Sequence, residues 1–280
     1  MYPEMKQLII IITLTTGYAS CKSISMNVGI PDKFAANATQ MKITGLHGMR
    51  IKRHLAFGNY QVSNVKTGWV FSTGGPDRNS RITTEERLLK VFSLLHENIT
   101  ERSRNKYQYT IQDGDGVAEV YCMEKTTKES VTTETPYGTF GKTKDYQYSF
   151  SAAILPQTIK DEPWQLVFYN SYDSRNDTAH KFWDHPYIAH EGYVTNGTIK
   201  INIRPIITDK VITNEGREVK TLTKLLMAYE LNIDGGVIGI IDVFKDNIWI
   251  YNDLDKDMKL VVAAISSAIL MRKLDESKAA

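Results

Sequence analysis

The run LVVAAISSAILM, Leu260 to Met271, constrains this chain most, because only Ser266 and Ser267 within it are polar. A helix hydrophobic on every side belongs inside a protein core or a bilayer, and a bilayer span needs roughly 20 apolar residues. The run is too short to span, and Lys259, Arg272 and Lys273 bracket it. It therefore predicts a helix wrapped by other structure. Upstream, Tyr229, Leu231 and Ile233 alternate with Glu230 and Asn232. Asp234-Gly235-Gly236 then turns the chain, VIGIIDVF returns, Lys245 to Asn247 turn again, and IWIY follows. Period-two alternation punctuated in this way predicts a three-strand meander. Asp253 or Asp255 then caps the helix, with Asp257 in its first turn, where a carboxylate meets the positive end of the helix dipole.

Strand patterns recur earlier in the chain. They are MKIT, MRIKRHLAF and YQVSNVKTGWVF, and, beyond GGPDRNS (74–80), YQYTIQ (107–112), VAEVYCM (117–123), YQYSFSAAIL (146–155), PWQLVFY (163–169) and TIKINIRPII (198–207). Asp113-Gly114-Asp115-Gly116 suits a hairpin turn with residues at positive φ. A helix is predicted near 84–101: Thr83 and Glu86 form a capping box, and Leu88, Val91, Phe92, Leu95 and Ile99 share one face. With 42% hydrophobic and 10% aromatic residues in 280, the composition is that of a packed globular protein. The expected fold is α+β: a single antiparallel β-rich domain over 41–274, barrel-like or a strongly curved sheet. It encloses the hydrophobic carboxyl-terminal helix, carries one amphipathic helix near 84–101, and ends in a polar tail, 275–280.

The amino end reads MKQLIIIITLTTGYASC, with one Lys, an aliphatic stretch, and small residues before Cys21. That is the layout of a secretory signal, and its apolar stretch is far shorter than a membrane span. Ala19-Ser20-Cys21 resembles the lipobox of bacterial lipoproteins, although Tyr18 stands where that family has an aliphatic residue. The resemblance implies cleavage before Cys21 and fatty acylation of it, palmitate included. It predicts a signal peptide over 1–20, a polar tether over 21–40, and a bacterial cell-envelope location, in the outer membrane in preference to the inner. At about 0.8 kcal/mol per buried methylene, two or more acyl chains give lasting attachment where one does not.

The strand meander followed by a hydrophobic helix is similar to the end of tubby and phospholipid-scramblase-like barrels, in which a closed antiparallel barrel encloses the helix. The likeness covers the carboxyl-terminal part alone and implies a lipid-handling module. FGNYQVSNVKTGW (57–69), EVYC (119–122), PWQL (163–166) and the ending together resemble a group of uncharacterised bacterial lipoproteins. That second likeness implies no active site.

A formal charge of +2 supplies no general attraction to nucleic acid, and the basic windows HGMRIKRH (47–54) and ERSRNKY (101–107) lack interleaved stacking aromatics. They read as solvated faces. HKFWDHPYIAHE (180–191) gathers His180, His185 and His190 with Asp184 and Glu191, which suits zinc and makes a metal-assisted hydrolase the rival enzyme reading. The spacing favours neither a helical nor a strand face, and Pro186 interrupts any helix, so a polar surface loop explains the cluster as well. Cys122 alternates with Ala118 and Val120 and reads as a core-facing thiol, unpaired if Cys21 carries lipid. DLDKD (253–257) lacks the Gly and closing Glu of a calcium loop, and no P-loop or G-x-S-x-G is present. Tyr107, Tyr109, Tyr146, Tyr148, Trp164, Phe168 and Tyr169 fit cross-strand ladders or a ligand pocket. The leading expectation is a non-enzymatic binding or structural module without a cofactor. Its partners are the membrane, through the lipid anchor, and an envelope protein or lipid met on the outer surface or loops; nucleic acid is not among them.

Overall fold

Residues that alternate apolar with polar carry through most of the chain, and they build strands. A computed structural model describes residues 30–45, 54–68, 103–135, 138–157, 163–173, 191–212 and 217–272. A short helix α1 (Asp32–Ala35) precedes β1 (Ala38–Thr44), β2 (Ala56–Phe57), β3 (Tyr60–Thr67), β4 (Ser103–Gln112), β5 (Val117–Thr135) and β6 (Gly138–Pro156). Then come β7 (Trp164–Asp173), β8 (Glu191–Thr195), β9 (Lys200–Ile212), β10 (Glu218–Ile233), β11 (Gly236–Asp242), β12 (Asn247–Tyr251) and the helix α2 (Lys256–Met271). Each strand lies beside its sequence neighbour, and antiparallel pairing of β1 with β12 closes the barrel. Closure removes the unpaired edges that an open sheet of this size would leave.

The described residues fall into two compact units, one formed by 30–208 with 223–272 and the other within Asp209–Leu222. In the smaller, Lys210 pairs with Glu218 at 2.6 Å and Lys220 with Asp209 at 3.3 Å. Thr221 Oγ1 also donates to the Asp209 carbonyl at 2.9 Å. The core and the candidate site both lie in the larger unit.

Turn chemistry fixes the hairpins. Asp234 and Gly235 both adopt positive φ (49° and 85°), the two-residue turn that matches strand twist between β10 and β11. In the β4–β5 hairpin, Asp113 Oδ1 accepts from the amides of Asp115 and Gly116, and the Asp113 amide donates back to the Gly116 carbonyl. Helix α2 starts where Asp255 Oδ1 accepts from Met258 N at 2.8 Å, so Asp255 is the cap.

Leu260 through Ile265 and Ala268 are at most 1% exposed, and α2 packs against β4, β5, β6, β11 and β12. Tyr107, Tyr109, Val120, Leu166, Ile201 and Leu231 join it in one core. Its two serines are satisfied locally: Ser266 Oγ donates to Val262 O and Ser267 Oγ to Ala264 O, each at 2.8 Å. Back-bonding of this kind lets a hydroxyl sit in an apolar helix without an orphaned donor. Gly239 permits close approach of the helix, since a Cβ there would stand 3.1 Å from Val262 Cγ1.

The α+β expectation holds only loosely. The described helices are one of 4 residues and one of 16, and the architecture is a β-rich closed antiparallel barrel. The amphipathic helix expected near 84–101 lies outside the described residues, as do the signal peptide and the polar tail. Within the stretch read as tether, Phe34 of α1 is buried against Ala228 and Ile240, and β1 already begins at Ala38. Among the described residues no helix is long and apolar enough to cross a membrane.

Candidate functional site

Cross-strand register arranges the core-facing residues in rows that run around the barrel. One row holds Tyr109, Val120, Ile154 and Trp164, and the next Tyr107, Cys122, Ala152, Leu166, Val194 and Ile201. All of these are buried, and nearly all are apolar. One step further along, the row reads Asn105, Glu124, Phe150, Phe168, Gly192 and Ile203, and here the chemistry changes. Glu124 is 4% exposed, and its Oε1 accepts from Tyr148 Oη at 2.7 Å.

Helix α2 ends at this level. Arg272 follows its last residue and is buried. Its Nε donates to the Ile269 carbonyl at 3.1 Å and its Nη2 to Tyr229 Oη at 3.0 Å. The guanidinium carbon lies 4.0 Å from the Phe168 ring centre, 5.3 Å from that of Tyr229 and 6.0 Å from that of Phe150. A helix ending inside a barrel leaves carbonyls and a partial negative charge in a poorly solvated place, and a cation at its carboxyl end answers both. The aromatic faces add cation–π attraction. Phe168 and Tyr229 meet edge to face at 5.3 Å. Gly192 makes room for that pair, because a Cβ there would stand 2.2 Å from the Val167 carbonyl oxygen and 3.0 Å from Phe168 Cα.

Burial works against the charge on Arg272, but Tyr229, Tyr148 and Glu124 outweigh it and hold its pKa above the ordinary arginine value. The guanidinium is therefore held charged beside the buried Glu124. Among the described residues, Arg272 Nη1 has no hydrogen-bond partner. Tyr109 Oη is engaged with Ser267 Oγ at 2.8 Å. Cys122 is wholly buried, and burial drives its thiol pKa well up, with Tyr107 opposing the rise and Glu124 adding to it. A thiol held protonated in this way is a packing group and not a nucleophile.

The sequence-based candidates fare unevenly. Cys122 lies where alternation placed it, on a strand and facing the core. Tyr107, Tyr109, Tyr148, Trp164 and Phe168 are buried, whereas Tyr169 is 55% exposed on the other face of β7. Cys21, His180, His185 and His190 lie outside the described residues. Among those that are described, no group of three or more His, Cys, Asp or Glu residues is placed to hold a metal. Arg272, Glu124 and Tyr229 escaped sequence reading as a group. Glu124 does share the strand parity of Ala118, Val120 and Cys122, and a charge that continues an inward parity is the signal that marks it.

Fold and site define a closed antiparallel barrel with its carboxyl-terminal helix in the core and a buried cation where that helix ends. No protein-family model, no curated protein and no solved structure matches the chain.

Proposed function

We propose that the chain is a bacterial envelope lipoprotein, anchored through acyl chains on Cys21, whose barrel is a non-enzymatic binding module. One observation carries the binding-module part. The barrel's core is occupied by α2, with Leu260 to Ile265 buried on every side, which is the arrangement that resemblance to tubby-like barrels implies. A core of that kind supplies a rigid scaffold, and the described thiol in it is inert. The anchor rests on the lipobox-like Ala19-Ser20-Cys21 alone. The partner of such a module is a lipid or another envelope protein.

The test is mass spectrometry of the full chain recovered from a bacterial host's membranes, with metabolic labelling by palmitate. The expected result is an amino-terminal Cys21 carrying acyl chains, and loss of label and of membrane association in Cys21→Ser. An unmodified Cys21 thiol in the membrane-recovered protein would refute the anchor.

A further inference from the structure

A barrel that spans a bilayer turns apolar residues outward and encloses a polar lumen. Here the order is reversed, since the interior holds an apolar helix and charge faces out. On β1 Lys42 alternates with Ile43, on β4 Lys106 with Tyr107, and on β5 Glu119 with Val120. On β9 Arg204 follows Ile203, and on β10 Glu230 follows Tyr229. The apolar residue of each pair belongs to the core, so strand parity sets the charged one on the outer wall.

That wall also carries an apolar patch. Ala228 on β10 and Ile240 on β11 have the parity opposite to the core residues Tyr229 and Ile241, yet both are 0% exposed. Ile206 on β9 and Trp249 and Tyr251 on β12 pack with them. The amino-terminal segment covers this patch. Phe34 of α1 is 6% exposed in the same cluster, its ring stacks on Tyr251 with centres 6.4 Å apart, and Ile30 packs beside it. Hydrogen bonds fasten the segment at the corner where β12 leads into α2. The Asn252 amide donates to the Asn37 carbonyl at 2.8 Å, and Thr39 Oγ1 donates to Asn252 Oδ1 at 2.7 Å.

We propose that residues 30–37 are a strap closed over the outer wall of β10, β11 and β12, which keeps a water-facing barrel on a short leash beside the bilayer. The leash rests on the anchored reading of Cys21; the strap and the outward charges do not. Fully extended, the chain from Cys21 to Ile30 spans at most about 32 Å, whereas a free tether over 21–40 would span about 68 Å. With the strap closed, the barrel stays at the surface of the membrane that anchors it.

The test is thiol labelling of the full chain by a membrane-impermeant maleimide, after insertion from detergent into preformed vesicles of phosphatidylethanolamine and phosphatidylglycerol. Cys122 is wholly buried and serves as the internal control for unfolding. Lys42→Cys, Glu119→Cys and Arg204→Cys should label as fast in vesicles as in detergent, and protection of these positions by the bilayer would overturn the water-facing barrel. Ala228→Cys should label at least about tenfold more slowly than Arg204→Cys, because reaction waits on local opening. Adding Phe34→Ala should bring the two rates together while Cys122 stays unreactive. Fast labelling of Ala228→Cys in the otherwise unaltered chain, or slow labelling that persists in Phe34→Ala, would overturn the strap. Should Phe34→Ala expose Cys122 as well, Ile30→Ser at the edge of the patch decides, with faster labelling of Ala228→Cys expected and an unchanged rate refuting the strap. Flotation of the same samples reports the anchor separately: a chain that does not float with the vesicles overturns the anchored reading and the leash, whereas the Ala228→Cys rates still decide the strap.

Discussion

Val262→Asp is the most direct challenge to the buried-helix core. Val262 is wholly buried, and its Cγ1 lies 3.1 Å from the position a Gly239 Cβ would take, so the side chain cannot swing toward solvent past that strand. Three terms add. Losing the burial of a valine removes about 1.5–3 kcal/mol. Keeping an aspartate neutral at pH 7 from an ordinary pKa of about 3.9 requires about 4 kcal/mol, at 1.36 kcal/mol per unit. A protonated carboxyl without a partner adds about 1–3 kcal/mol. The total, roughly 6–10 kcal/mol, matches the whole stability of a typical domain, about 5–15 kcal/mol. The expected outcome is loss of soluble folded protein at pH 7, read by near-ultraviolet circular dichroism and urea unfolding. Any folded fraction should grow on acidification: the folded-state pKa of the new carboxyl lies above its unfolded value, so stability rises as pH falls. Between pH 7 and pH 5 the recovery should approach about 2.7 kcal/mol. Ile265→Asp should behave alike. A Val262→Asp protein that melts within a few degrees of the parent would refute the burial of α2.

Other expectations are more local. Gly192→Ala should destabilise by about 1–3 kcal/mol in urea titration, because the new methyl meets the backbone carbonyl of Val167, which no rotamer change can relieve; a loss under about 0.5 kcal/mol would be incompatible with that geometry. Asp255→Ala should cost about 0.5–2 kcal/mol through the lost cap to Met258, and Asp255→Asn far less, both read from chemical denaturation. Asp242 is buried, and burial raises its pKa against hydrogen bonds from the Lys245 and Phe244 amides and from Asn247. Its folded-state pKa lies above the unfolded one, so its contribution is fully present below the unfolded pKa and is lost as pH rises through the folded pKa. Asp242→Asn keeps an acceptor without the charge. Its melting temperature should exceed that of the parent at pH 7 and converge with it toward pH 4, and a constant difference across that range would contradict the buried-carboxylate account.

Much of the barrel was legible because it is written in short-range chemistry. Residues 229–271 carry period-two alternation, an Asp-Gly turn and an aspartate cap, and β10, β11, β12 and α2 appear where those signals point. Strand extent was less legible. β5 runs on to Thr135 and β6 starts at Gly138, through KTTKESVTTET and GTFGKTKD, where polar residues occupy both faces and alternation fades. Pairing between two long neighbours holds such a ribbon in register, and one-sequence periodicity does not see pairing. β8, EGYVT, was missed because a strand of 5 residues with Gly192 inside it looks like a loop. Closure itself is a long-range fact, since β1 meets β12 across some 200 residues of chain.

The candidate site shows the same division between local and non-local signals. Arg272 was read as one of the charges that bracket a hydrophobic run, and in sequence it is that. Its burial follows from a geometric match that no local pattern records. From Leu260 to Arg272 the helix advances about 18 Å at 1.5 Å per residue, and the strand from Gly116 to Glu124, about 26 Å long at 3.3 Å per residue, advances about 20 Å along a barrel axis to which strands tilt by about 40°. With Leu260 set against Gly116, the end of the helix therefore falls level with Glu124. The charge that sequence reading assigns to solvent is carried into the core because helix and tilted strand advance about equally along the barrel axis. Phe168 and Tyr229, ordinary ladder residues by pattern, become its cation–π partners for the same reason. A helix one turn longer would carry the guanidinium about 5.4 Å further, past the Phe168 row to the level of Thr126 and Asn170. The length of α2 thus selects which row meets the cation.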